Sequence, residues 1–448
     1  MPKLKIAIIF NIFHFSTIIY INFVKMYYWA KVYIFISFLL GGYQLSIAQQ
    51  RKCGYDNYYQ NILKEYPEIV EKEIALQNEL KNNNQRYAQS EGIIRIPVVI
   101  HVLYNTESQN ISDEQIKSQI SALNRDYRAL NTDKLSSNHQ FYDRIGDTEI
   151  EFCIATEDPW GQITTGIERK YVSKSSFSYS GNLNDADENY IKKSNKGGLD
   201  AWDTDKYLNI WIANFTDGTL GFASFPNDNA GIKDGIVIHY RVFGTIGNLL
   251  PDYNKGRTTT HEIGHWLGLK HIWGNGGNCN SDDGISDTPK QYDATYGCPS
   301  GIYDDECSPS TSGRMYQNFM DYTDDACMAL FTKKQAEYVR NVLNSSRSSF
   351  LNNNIPCDFI SKVTNNTLFK NIKVFPNPAT NYLYIDQLPS SKEPYRIALY
   401  NELGQAVFTT TTNDYNTEIE VSELRKGVYY VEIVNGEHHY NQTVLVLH

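Results

Sequence analysis

His261, Glu262, His265 and His271 are the residues whose types and spacing carry the clearest chemistry, in Thr258-Thr-Thr-His261-Glu262-Ile-Gly-His265-Trp-Leu-Gly268-Leu-Lys-His271. Two histidines four positions apart lie on one helix face, one turn from each other, so both imidazoles reach a single ion at about 2.0–2.1 Å. Glu262 projects beside them. Gly268 can take the positive φ that ends a helix, and the turn brings His271 round as third ligand. Three protein ligands leave a fourth position for water, the mark of a catalytic rather than a structural zinc site. There zinc lowers the pKa of the water to about 7, and Glu262 can take its proton as it attacks a polarised peptide carbonyl. A bare HExxH arises by chance, with the histidines simply satisfied in a helix. The eleven-residue form, with glycine at the bend and a third histidine, is specific.

Seven cysteines stand at 53, 153, 279, 298, 307, 327 and 357. In an exported chain they imply disulfides, and the odd number leaves one thiol over. Arithmetic permits three connectivities among Cys279, Cys298, Cys307 and Cys327. The loop Ser281–Thr288 gathers Asp282, Asp283, Asp287 and Thr288 around Gly284. Such an oxygen-rich turn suits a hard cation such as calcium, the plainer alternative being a solvated acidic turn.

These residues need elements to hold them, and the chain has room. Its 448 residues predict two folded units plus processing segments. The 41 basic and 51 acidic residues give a net charge of −10 without an acidic tail, which argues against a nucleic-acid or anionic-membrane partner. Two apolar stretches open the sequence. The second begins at Met26, with Lys31 before the apolar run Val32–Leu40 and a Ser46-Ile47-Ala48 cleavage site before Gln49, and reads as a complete signal peptide. Residues 1–48 are therefore a signal region with Met26 the expected start; the alternative is a two-helix membrane anchor. Residues 49–85 are polar, with a helical stretch from Tyr58 to Leu80, and read as a pro-segment.

From Ile94 the run IRIPVVIHVLY predicts a strand, its Pro97 placing it near an edge or bulge. Ser112-Asp-Glu-Gln115 predicts a capping box, with Ile116, Ile120, Leu123 and Tyr127 at helical spacing behind it. Strand-like runs follow at 150–156, 207–215, 221–225 and 235–240, before helices near 258 and at 333–343. This order predicts α/β or α+β layering. A Ser- and Asn-rich linker at 358–371 precedes short alternating runs over 372–448, the pattern of a small all-β sandwich.

The segment 261–271 resembles that of the metzincin metallopeptidases. Together with Asp283-Gly-Ile-Ser-Asp287-Thr-Pro289 and Asn318-Phe-Met320-Asp-Tyr322, it resembles the pappalysin-like family across about 94–343. The resemblance implies a metzincin-type α/β catalytic domain, about 86–357, with an active-site helix and an irregular lower half. It also implies Met320 as an apolar floor beneath the zinc and Tyr322 as a hydroxyl near the metal that stabilises the oxyanion. It further implies the pairs Cys279–Cys307 and Cys298–Cys327, calcium in the acidic loop, and Asp325 in the pocket for the residue after the scissile bond. A carboxylate there would pair with Arg or Lys, making Gln85–Arg86 a self-cleavage site; the alternative is a surface aspartate.

Cys53, in Arg51-Lys-Cys53-Gly-Tyr55, resembles the pro-segment cysteine of latent relatives, whose thiolate fills zinc's fourth position. Cys153 and Cys357 would then pair; alternatively Cys53 pairs with one of them. From Phe375 the tail resembles the type IX secretion sorting domain, which implies the outer-membrane export machinery as partner and a secreted or cell-surface location; an adhesive or sugar-binding sandwich is the alternative. The resulting expectation is a latent, exported zinc endopeptidase acting on protein substrates, set against a non-catalytic surface binding protein retaining a zinc site.

Overall fold

The computed structural model describes residues 51–358 and 372–447, except 70, 73, 76–91, 183, 227–229, 309–311, 392, 402–405 and 436–437. The signal region, the Gln85–Arg86 bond and all of the linker but Asp358 lie outside the described residues.

The first part is an α/β arrangement. Its strands are β1 (Lys52–Cys53), β2 (Ile94–Tyr104), β3 (Ile150–Ala155), β4 (Ile167–Tyr171), β5 (Leu208–Ala213), β6 (Thr219–Ala223), β7 (Ile236–His239) and β8 (Cys357–Asp358). They form one sheet in the order β1-β6-β7-β5-β2-β3-β8, with β4 also on β2. The pairs β5/β7, β2/β5, β2/β3 and β2/β4 are parallel, while β6 runs antiparallel to β7. Parallel strands covered on both faces read as continuous apolar runs, as β2 and β5 do. Pro97 is buried in the centre of this sheet, not at its edge. It is tolerated because β2 pairs with β3 over Ile94–Val98 and with β5 only from Val98 onward, so the missing N–H falls where one neighbour is absent.

Among the described residues, helices α1 (Tyr55–Glu65), α2 (Asp113–Tyr127), α3 (Ala186–Ile191), α4 (Arg257–Trp266) and α5 (Lys333–Asn344) accompany the sheet. Helix α1 begins three residues before the stretch read from the sequence and stops before Pro67, and helical residues resume at 68–69, 71–72 and 74–75. In α2, Ser112 accepts from the Gln115 N–H, but the Gln115 side chain donates to the Tyr240 and Phe243 carbonyls instead of closing the box. Ile116, Ile120, Leu123 and Tyr127 enter the main core with Ile96, Val98, Ile263 and Met320. The full capping box occurs on α5, between Thr332 and Gln335.

The tail is all β. β9 (Lys373–Phe375), β10 (Tyr382–Asp386) and β13 (Thr417–Glu420) make one antiparallel sheet. β11 (Tyr395–Tyr400), β12 (Ala406–Thr412), β14 (Gly427–Asn435) and β15 (His438–Val446) make the other. Alternation along β10 puts Leu383 and Ile385 into a core shared with Ile397, Leu399, Val431, Ile433 and Val444.

Candidate metal centre

Helix α4 starts after Gly256, at φ +77, and every one of its residues is buried. It carries His261 and His265 on one face. Gly268, at φ +86, reverses the chain, its N–H bonding the His265 carbonyl while that of Leu269 bonds Gly264. His271 thereby meets the other two rings. The three Nε2 atoms lie 3.1, 3.1 and 3.3 Å apart.

Each Nδ1 faces an acceptor instead: the Phe319 carbonyl at 2.7 Å from His261, the Leu269 carbonyl at 2.7 Å from His265, and Asp56 Oδ1 at 2.8 Å from His271. The proton of each neutral ring therefore sits on Nδ1, and three Nε2 lone pairs point at one another. Burial, then the neighbouring imidazoles, holds His261 and His265 well below the ordinary histidine range. Facing lone pairs repel unless a cation lies between them. A tetrahedral ion with bonds of about 2.0–2.1 Å sets its nitrogens about 3.3 Å apart. The observed triangle fits zinc. Cys53 supplies a fourth donor, and the ligand atoms of all four residues lie within 4.8 Å of one another.

Glu262 is buried, its Oε2 3.4 Å from the Cys53 sulfur, and burial pushes its carboxyl up to about 8. Gly221 on β6 makes room for it: a Cβ there would stand 2.8 Å from Glu262 Cγ. Met320 lies beneath α4, its sulfur 2.5 Å from where a Gly264 Cβ would be. The Tyr322 ring stands 4.8 Å from that of His271.

The N-terminal segment crosses this centre. β1 joins the edge of the sheet, running parallel to β6 with Lys52 opposite Thr219 and Cys53 opposite Gly221. Tyr55 then stacks flat on His265, ring centres 3.9 Å apart. Two positions before Cys53, Arg51 donates to Asp325 Oδ1 at 2.7 Å, and both side chains are buried. Asp325 is thus no surface residue; its Oδ2 also accepts from the Lys255 and Arg257 backbone N–H groups. Sequence reasoning missed Arg51, Tyr55, Asp56 and Gly221. For the first, its place two residues before Cys53 was the available signal.

The disulfides present are Cys153–Cys357, Cys279–Cys307 and Cys298–Cys327, with Cys53 free and buried. The acidic loop corrects the sequence picture of a single oxygen cage. Asp287 turns both carboxylate oxygens to the start of α5, on the Thr332 hydroxyl and the Lys334 N–H. Asp282 accepts from the Gly284 N–H. Asp283 accepts from Ile285 and Thr288 through Oδ1, while its buried Oδ2 has no partner. Among the described residues, the Cys53 and histidine group is the one cluster of three or more side chains placed to hold a metal.

Residues 192–344 match the peptidase family described as pregnancy-associated plasma protein-A, and residues 373–447 match the secretion system C-terminal sorting domain. An extracellular metalloprotease of Arthroderma benhamiae is 31% identical over 252 residues, 55% of this chain and 76% of that protein. One from Arthroderma gypseum is 31% identical over 303 residues, 65% of this chain and 83% of its own length. Among solved structures, a promirolysin mutant of Tannerella forsythia is 42% identical with a TM-score of 0.61, covering 67% of this chain and 97% of its own. Mature mirolysin of the same organism, with a cleaved peptide, is 45% identical with a TM-score of 0.55, covering 58% and 96%.

Proposed function

This chain belongs to the pappalysin-like family of metallopeptidases, and from that premise we propose that it is an exported zinc endopeptidase made in a latent form, with Glu262 as general base. The observation that carries the proposal is the convergence of His261, His265 and His271 beside Glu262, with the Cys53 sulfur in the same cluster.

When bound, zinc would supply Lewis-acid polarisation of the scissile carbonyl and lower the pKa of water to about 7. The three imidazoles hold it, each oriented through its Nδ1–H. Glu262, once Cys53 has left, takes the proton of the attacking water at its Oε2 and returns it to the leaving amine. The Tyr322 hydroxyl donates to the developing oxyanion, and Met320 packs as an apolar floor. Substrate extends along β6, the edge that β1 occupies in this state. Asp325 takes Arg or Lys after the scissile bond, a preference supported by its pairing with Arg51.

Domains follow the same proposal: pro-segment 49–85, catalytic domain 86–357, linker 358–371 and sorting domain 372–448, with signal region 1–48 removed and type IX machinery as export partner. Calcium is proposed at Asp283, whose unpartnered buried oxygen supports it.

The test is cleavage of an unfolded protein by the activated enzyme and by Glu262→Ala, with zinc assayed and cut sites read by mass spectrometry. Cuts before Arg or Lys by the wild type, with a zinc-loaded but inert variant, are expected. A zinc-loaded wild type that cleaves nothing after its N-terminal segment is removed would overturn the proposal.

A further inference from the structure

The three histidines are not held alike. His261 and His265 lean on backbone carbonyls of Phe319 and Leu269, permanent parts of the region around α4. His271 leans on a carboxylate of α1, Asp56, 215 positions earlier in the chain. Asp56 is the second residue of that helix, three beyond Cys53, so one turn of N-terminal chain places a thiol on the inner side of the triangle and a carboxylate on the outer side of His271.

A carboxylate behind an imidazole fixes its tautomer and makes the opposite nitrogen a stronger donor; losing such a partner typically lowers metal affinity by about 10–100-fold. We propose that Asp56 is a detachable outer partner of the metal site: while α1 is docked it strengthens His271 as a ligand, so the latent chain retains zinc more tightly than replacement of the bound thiolate by water alone explains. This rests on the zinc site proposed above. Cutting away the segment then removes two supports at once, the sulfur from the metal and the carboxylate from His271. Metal loading would thus be favoured before activation, when the site has most donors.

The experiment uses the full chain carrying Glu262→Gln, which prevents self-cleavage, and measures zinc affinity by competition with a chromophoric chelator. Asp56→Ala is expected to weaken zinc by about 10–100-fold. Asp56→Asn, which keeps an acceptor but not the charge, should fall between, and Gln60→Ala on the exposed side of the same helix should match the parent. Cobalt substitution supplies a second readout: a retained sulfur-to-cobalt absorption band in Asp56→Ala would show Cys53 still bound and the segment still docked. A folded parent that binds no zinc would sink the site itself. A parent that binds zinc with Asp56→Ala unchanged would overturn the role of Asp56 alone. Weakened zinc together with loss of the cobalt band would overturn it too, by tracing the effect to undocking.

Discussion

Arg51 and Asp325 meet in a buried pair, Nη2 to Oδ1 at 2.7 Å, across 274 positions of sequence. A segment expected to keep the enzyme quiet thus places a basic side chain in the pocket proposed to select basic side chains. Asp325→Asn is expected to lower kcat/KM for peptides with Arg or Lys after the scissile bond by about a hundredfold, matching roughly 2–3 kcal/mol for a hydrogen bond to a charged group. Peptides with apolar residues there should change little. An equal loss on both peptide sets would remove Asp325 from selectivity.

Arg51→Ala leaves the Asp325 carboxylate buried without its cation, a change that typically costs about 3–5 kcal/mol. The segment should dock less tightly, and the full chain should activate faster on incubation, followed by gel electrophoresis. An unchanged time course would show that Arg51 does not help hold the segment.

Gly264→Ala would ordinarily favour a helix by up to about 1 kcal/mol. Here the new Cβ would collide with the Met320 sulfur, and overpacking of this kind costs about 1–3 kcal/mol. A lower melting temperature with reduced zinc content is expected. Pairing it with Met320→Ala should recover part of the melting temperature; no recovery would place the strain elsewhere.

Asp234 accepts two hydrogen bonds from Arg347, one from Trp266 at the end of α4 and one from Ser224 beyond β6. Burial pushes its carboxyl up, but the Arg347 charge and these bonds outweigh it and hold it below the ordinary value. It is charged in the folded chain at a pH where the unfolded chain, near 3.9, is already taking up protons. Its contribution is therefore complete above about pH 4 and drains away as pH falls through the lower folded value. Denaturant unfolding of the catalytic part should show this acid loss. Arg347→Met should abolish that part of the pH dependence and destabilise at neutral pH by about 3–5 kcal/mol. An unaltered acid profile would show another carboxylate responsible.

Calcium at Asp283 should raise the melting temperature of the zinc-loaded chain, and Asp283→Asn should remove the response. A thermal shift that survives Asp283→Asn, or none with either form, would return the loop to a solvated acidic turn.

The zinc triangle was legible because its three histidines fall within eleven positions, where helical period and one glycine fix their directions. The sandwich was legible from alternation such as that of β10. Arg51 on Asp325 and Asp56 on His271 were not, since each depends on where a distant segment docks, and no local period encodes that. Pro97 pointed to a one-sided strand position, and the register supplies one where β5 has not yet joined β2, although the strand itself lies inside the sheet. Asp287 was counted with its acidic neighbours by proximity in sequence, whereas the packing of α5 claims its oxygens.

The Cys153–Cys357 bond joins β3 to β8 across 204 positions, and every zinc-facing histidine lies inside the ring it closes. Closing a loop of that length withdraws about 5 kcal/mol of freedom from the unfolded chain. It also changes what a cut means. A single nick anywhere inside the ring would leave both pieces tied and visible as separate bands only after reduction, whereas a cut in the linker just beyond Cys357 would free the sorting domain outright. Cleavage inside the ring therefore leaves the chain in one piece, whereas cleavage before Cys153 or in the linker releases whatever lies outside it.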